Sequence, residues 1–158
     1  MKVSIHGSGI TLVLVLITGA LLVTGCASTP VADSPAGARH QEASEIAASM
    51  LGKPYRYGGG TPHGFDCSGL VHFSFNRAGM DVPRSTETQR QRSRRVARAN
   101  LARGDLVFFD QLGKSSSHVG IYLGDNRFVH APSSGGHVRV DTLTDPYWRK
   151  HLVDTRRF

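Results

Sequence analysis

Residues Tyr55–Gly69 read Y-R-Y-G-G-G-T-P-H-G-F-D-C-S-G. The glycine run Gly58–Gly60 and Pro62 hold this stretch in a loop, and an apolar-periodic segment opens directly behind it at Leu70. Cys67 is therefore expected in the first turn of a helix, where backbone N–H groups lack intrahelical partners and the dipole is positive. Both effects favour a thiolate over a thiol, so the position suits a nucleophile. A small cysteine packing the start of a helix is the competing reading. The glycines are not a phosphate loop, because no Lys-Ser/Thr follows them and the G-x-G-x-x-G spacing is absent.

On either side of this stretch the pattern is helical. Ser68 to Ala78 places Val71, Ser74, Phe75 and Ala78 on one face, with Gly79 as the stop. Upstream, Gln41 to Leu51 sets Ala43, Ile46, Ala47, Met50 and Leu51 on one face, with Glu42 and Glu45 in the first turn and Gly52 past the end. Downstream, a short helix is predicted near Thr86, where Thr86-x-x-Gln89 resembles a capping box. It runs into Arg90, Arg92, Arg94, Arg95 and Arg98. No aromatic residue interleaves these arginines to stack on bases, so a solvated basic face is expected and no nucleic-acid partner.

The chain of 158 residues is enough for one domain whose core needs neither disulfide nor structural metal. Its net charge of +7 points to anionic surroundings without choosing among nucleic acid, acidic lipid and acidic polymer. Behind Lys2, the apolar run Ile10–Val23 is too short to span a bilayer, where about 20 residues are needed. It fits the apolar region of a secretory signal. The run ends in Val23-Thr24-Gly25-Cys26, which resembles a bacterial lipoprotein signal: small residues ahead of a cysteine that is lipidated and becomes N-terminal on cleavage. An uncleaved amphiphilic anchor is the alternative. The expected division is a signal peptide over 1–25, a lipidated N-terminus and flexible tether over 26–40, and a folded domain over 41–158. The 13 tether residues Ala27–Arg39 reach about 45 Å when stretched. With Cys26 carrying lipid, Cys67 has no disulfide partner, and a lone exported thiol is a candidate for reactivity.

The second half reads as strands: Leu106–Phe109, His118–Leu123, Arg127–Ala131, Val138–Val140 and Leu152–Thr155, with Pro146-Tyr147-Trp148 in a turn or short helix. Helices followed by an antiparallel sheet make an α+β domain. A three-residue loop at Leu123–Asp125 would place His118 directly opposite His130, with Cβ atoms about 5 Å apart. One imidazole then orients the other, and a helix carrying Cys67 packed on that face would complete a thiol, a base and an orienter.

Taken together, D-C-S-G-L at Asp66–Leu70, Y-R-Y-G-G upstream of it, G-D-L-V-F-F at Gly104–Phe109, H-V-G-I-Y-L-G at His118–Gly124 and F-V-H-A at Phe128–Ala131 resemble the NlpC-type cell-wall cysteine peptidases. P-R-S-T at Pro83–Thr86 and P-Y-W at Pro146–Trp148 extend the likeness, which covers about Glu45 to the C-terminus. The resemblance implies a papain-like fold, with N-terminal helices packed on a C-terminal antiparallel sheet, and hydrolysis of peptide bonds in peptidoglycan stems. It makes Cys67 the nucleophile, His118 the general base and acid, and His130 the third, orienting residue. Tyr55 then lies near the oxyanion, and Asp66 and Ser68 line the substrate groove. An adjacent imidazole and a helix N-terminus are expected to lower the pKa of Cys67.

The resemblance also implies peptidoglycan as substrate, and no cofactor, no metal and a monomer are expected. The lipid would hold the chain in the bacterial envelope. Ala27 and Ser28 lack the aspartate associated with inner-membrane retention, so the periplasmic face of the outer membrane is expected. The residues do not identify the scissile bond; the resemblance favours the bond joining D-alanine to meso-diaminopimelate, with the D-γ-glutamyl–diaminopimelate bond as the alternative. Three other readings stay open: a zinc site drawn from His63, Cys67, His118 and His130, a non-catalytic wall-binding lipoprotein on this fold, and an acyltransferase or amidase using the same thiol.

Overall fold

The computed structural model describes residues 1–2 and 35–158, apart from positions 112 and 135 and the side chains of 114–116. The expected signal peptide from residue 3 onward, Cys26 and the expected tether as far as residue 34 lie outside the described residues. Helix α1 spans Pro35–Ser49 and so begins six residues before Gln41, inside the stretch expected to be tether. Its buried residues Gly37, His40, Ala43, Ser44 and Ala47 are mostly small, which lets the backbone lie close to the domain but leaves little apolar signal to read. The His40 ring meets Phe75 edge-on at 5.8 Å between centroids, and its Nδ1 lies 2.6 Å from the Ala36 carbonyl oxygen. Leu51, expected on the apolar face, is exposed.

The glycine-rich stretch folds back as a small hairpin, β1 (Gly60–Thr61) with β2 (Gly64–Phe65), where a plain loop was expected. Helix α2 (Cys67–Arg77) follows, capped by Asp66, whose carboxylate accepts the Gly69 N–H at 2.6 Å. Such a cap contributes about 1 kcal/mol. Gly69 has a second reason to be glycine: a Cβ there would sit 1.9 Å from the Gly59 carbonyl oxygen. The loop thus docks backbone to backbone on the first turn of α2. Helix α3 (Thr86–Arg92) is capped by Ser85 rather than Thr86, with Ser85 Oγ accepting the Thr88 N–H at 3.2 Å. Gln89 closes no capping box. It is buried, and its Nε2 donates to the carbonyls of Ser68 and Pro83 at 2.9 and 2.7 Å, tying α3 to the start of α2.

Six strands form one antiparallel sheet in the order β3-β8-β4-β5-β6-β7. They are β3 (Arg94–Arg95), β4 (Leu106–Gln111), β5 (Lys114–Gly124), β6 (Arg127–His130), β7 (Arg139–Thr142) and β8 (Leu152–Arg157). Side chains alternate across the sheet. Leu106, Phe108, Val119, Ile121 and Val129 face α1 and α2 and join Ala43, Leu70, Val71 and Phe75 in the main core. Each fully buried Leu, Ile or Phe of this kind contributes roughly 1.5–3 kcal/mol. Val107, Phe109, Tyr122 and Phe128 face the other way, under Trp148 of helix α4 (Pro146–His151). The architecture is the expected α+β arrangement of N-terminal helices on a C-terminal antiparallel sheet.

The arginine run is only partly a solvated face. Arg90 and Arg95 reach Asp154 at 3.0 and 3.6 Å, and Arg156 joins them at 2.7 Å, while Arg92 and Arg94 stand exposed. Among the described residues, no helix is long and apolar enough to cross a membrane.

Candidate active site

Strands β5 and β6 turn at Asp125–Asn126, both in the left-handed region at φ 52° and 58°, after a bulge at Gly124. Asp and Asn tolerate this conformation, so a two-residue turn replaces the expected three-residue loop. The ladder pairs Ile121 with Val129 and Tyr122 with Phe128, and continuing that register puts Gly120, not His118, across from His130. The error is two residues. Because side chains alternate with period two, both histidines still share a face. As diagonal neighbours they reach each other, His118 Nε2 lying 2.7 Å from His130 Nδ1. Gly120 leaves room for this: a Cβ there would lie 2.7 Å from the Phe128 ring and 3.3 Å from His130 Cβ.

The next strand extends the diagonal. His130 pairs with Arg139, so Asp141 falls on the same face two residues on, and its Oδ2 lies 2.9 Å from His130 Nε2. That oxygen also accepts from Arg139 Nε at 3.1 Å and Trp148 Nε1 at 2.9 Å. The Trp148 indole stacks on His118, with centroids 5.7 Å apart and planes at 26°. Neither Asp141 nor Trp148 was assigned a role from sequence. The available signal was a carboxylate in phase with Arg139 on a strand beside His130, which needs the β6–β7 register to be read.

Cys67 approaches differently from the simple expectation. Helix α2 packs on the face opposite the histidines. Cys67, its first residue, projects from the helix end where β5 runs on past the end of β6 at His130. There the sulfur meets the Val119 N–H, and Thr86 Oγ1 stands 3.8 Å away. The half-buried Cys67 lines a cavity of about 160 Å³ together with Tyr55, Ser117, His118 and Ala131. Tyr55 and Cys67 also border a larger groove of about 530 Å³, walled by Asp66, Ser68 and Arg84.

Burial sets the electrostatics. It pushes the Cys67 thiol up from its ordinary value; the Val119 N–H and the Thr86 hydroxyl pull the other way, and the Asp66 carboxylate adds to the rise. The direction is therefore opposite to the depression expected from helix start and imidazole, because desolvating a thiolate costs more than these donors return. Burial also pulls His118 down to about 3, helped by His130 and Arg139 and opposed by Asp141. These shifts leave Cys67 a neutral thiol and His118 a neutral imidazole at neutral pH. Burial first, then Cys67 and Asp66, raise Tyr55, so its phenol stays protonated and able to donate. The hydrogen bond from His130 holds Asp141 down at about 2, against the effect of its burial, so it is a carboxylate.

Asp66 is fully engaged. Arg84 grips both its oxygens, at 2.9 and 2.8 Å, and the Gly58 N–H adds a bond at 3.0 Å. Ser68 Oγ donates to Asp66 at 3.2 Å and accepts from Arg84 at 3.0 Å. Arg84, unassigned from sequence, is thus the clamp that fixes this wall of the groove. His63 is exposed on the turn between β1 and β2. Among the described residues, no three His, Cys, Asp or Glu side chains are grouped to share a metal ion.

Comparison with known proteins follows the same boundaries. The model of the NlpC/P60 family matches residues 52–157. The murein DD-endopeptidase MepS/murein LD-carboxypeptidase of Escherichia coli is 45% identical over 111 residues, covering 70% of this chain. The chain spans only 58% of that relative's length. The probable endopeptidase NlpC of Escherichia coli is 39% identical over 153 residues, 91% of this chain and 97% of that protein. A crystal structure of an NLP/P60-family protein from Staphylococcus aureus superposes with a TM-score of 0.68 at 34% identity, covering 76% of this chain and 41% of that one. With cysteine, paired histidines and groove falling inside the matched segment, the chain belongs to the NlpC/P60 family.

Proposed function

We propose that this chain is a peptidoglycan endopeptidase working through Cys67, His118 and His130. The observation that carries the reading is that Cys67 and His118 line one cavity. His118 meets His130 through Nε2, leaving Nδ1 as its other basic position. In the reaction, His118 Nδ1 takes the thiol proton as sulfur bonds to the scissile carbonyl carbon. The Cys67 N–H and the Tyr55 hydroxyl donate to the oxyanion, each such donor contributing roughly 3 kcal/mol. His118 returns the proton to the leaving amine, and water releases the acyl group in the reverse sequence. Asp66, Ser68 and Arg84 form the wall against which the stem peptide lies. The relatives' names, murein endopeptidase and probable endopeptidase, support the substrate class.

The bond we assign is the D-alanine–meso-diaminopimelate cross-link. Incubation with purified cross-linked muropeptide dimers, read by mass spectrometry, is expected to give the two monomers with one water added. Cleavage only between D-glutamate and diaminopimelate would transfer the activity to the alternative bond. Dimers left intact while the chain still binds peptidoglycan would mark it as a wall-binding protein. Acyl transfer to an added amine in place of hydrolysis would mark an acyltransferase.

We further propose a lipid anchor on Cys26, placing the domain at the periplasmic face of the outer membrane. Cys26→Ser is expected to move the protein from the membrane pellet to the soluble periplasmic fraction. Persistence of the variant in the pellet would remove the lipid as anchor.

A further inference from the structure

His118, His130 and Asp141 come from three neighbouring strands and meet through single hydrogen bonds of 2.7 and 2.9 Å. We propose that Asp141 is a positioning residue that fixes the tautomers of both imidazoles and so leaves His118 Nδ1 as the free base beside Cys67. The inference rests on the endopeptidase reading above and names a residue outside its cysteine–histidine–histidine set.

The reasoning follows the donors and acceptors. An ionised carboxylate only accepts hydrogen bonds. His130 must therefore carry its proton on Nε2, facing Asp141 Oδ2. A neutral imidazole protonated on Nε2 has its lone pair on Nδ1, so His130 Nδ1 accepts. His118 must then carry its proton on Nε2 to make the 2.7 Å bond, which leaves its own lone pair on Nδ1. One carboxylate thus decides the protonation of an imidazole two hydrogen bonds away.

Asp141 is itself held in place. Arg139 Nε and Trp148 Nε1 donate to the same oxygen that His130 meets, and Trp148 also lies against His118, so the carboxylate and both rings are fixed by one indole. His130 is fully buried, which leaves it no water to compete for its ring nitrogens. Arg127 and Asp145 border the shallow cavity on the far side of Asp141, and neither makes a hydrogen bond to a histidine of this line. When His118 takes the thiol proton it becomes an imidazolium with N–H on both nitrogens. The His130 lone pair and the Asp141 charge then stabilise that state without either group gaining a proton.

The test uses the intact protein with histidines labelled with nitrogen-15. At pH 7 the wild-type spectrum is expected to show His118 and His130 both protonated on Nε2 only. Asp141→Ala removes the acceptor: the His130 signal should move toward a mixture of tautomers, and kcat should fall roughly 10- to 100-fold with KM within about twofold. Asp141→Asn keeps an acceptor oxygen without the charge and should recover part of that loss. A wild-type His118 protonated on Nδ1 would overturn the proposal, and so would unchanged kcat in Asp141→Ala. Should the alanine variant fail to fold, the wild-type spectrum and the asparagine variant decide alone. If wild-type protein with the expected tautomers cleaves no muropeptide, the endopeptidase reading fails while the tautomer assignment stands.

Discussion

Cys67→Ala is expected to lower muropeptide hydrolysis by on the order of 10⁴-fold or more while the fold persists. The two consequences separate because sulfur contributes chemistry rather than core. The side chain is half-buried at a helix start, and the helix keeps its Asp66 cap, its docking glycine and its apolar face without the sulfur. The melting temperature should stay within about 5 °C of wild type. His118→Ala should lose comparable activity, since among the described residues His118 is the only histidine or carboxylate lining the cavity that Cys67 lines. His130→Ala should lose less, because it leaves His118 in place but free to rotate. Turnover retained in Cys67→Ala would falsify the nucleophile assignment and, with it, the proposed mechanism.

The second expectation concerns pH. Iodoacetamide should alkylate Cys67 about tenfold faster with each unit from pH 6 to pH 8, with no plateau. The sign follows from the two shifts. The thiol lies above its ordinary value of 9.0, so across this window it is protonated and the reactive thiolate fraction rises tenfold per unit. His118, at about 3, is already neutral throughout and has no proton to exchange with the sulfur. His118→Ala should therefore leave the alkylation profile unchanged while removing hydrolysis. A stable thiolate–imidazolium pair behaves in the opposite manner: alkylation is flat from about pH 4 to 8, and loss of the imidazole slows it sharply at pH 6. A flat wild-type profile would show that the buried site stabilises charge far better than its donors indicate.

Both expectations depend on burial, and burial separates what could be read early from what could not. Short-range pattern carried the helix expected from Ser68 to Ala78, found as Cys67–Arg77, and the strand segments, because apolar spacing and turn residues act over a few positions, whereas the glycine-rich loop closes into a small hairpin. The start of α1 was hidden because Gly37 and Ala43 pack through closeness rather than size. Histidine parity was legible for a similar reason. An error of two residues at the Asp125–Asn126 turn cannot move a side chain to the other face, so His118 and His130 stayed together although their direct pairing was wrong.

The amino-acid order by itself determined the α+β class, the cysteine at a helix start and the two histidines on one side of a hairpin, since each depends on neighbours a few residues apart. Only the tertiary structure decided the rest. It set the helix of Cys67 against the opposite face of the sheet and let the sulfur reach round its margin. It brought Arg84 to Asp66 across 18 positions and Asp141 to His130 across 11. It also reversed the expected direction of the thiol shift. Contacts of that separation, and the loss of water around them, depend on how the strands register and the layers pack, which no local spacing encodes.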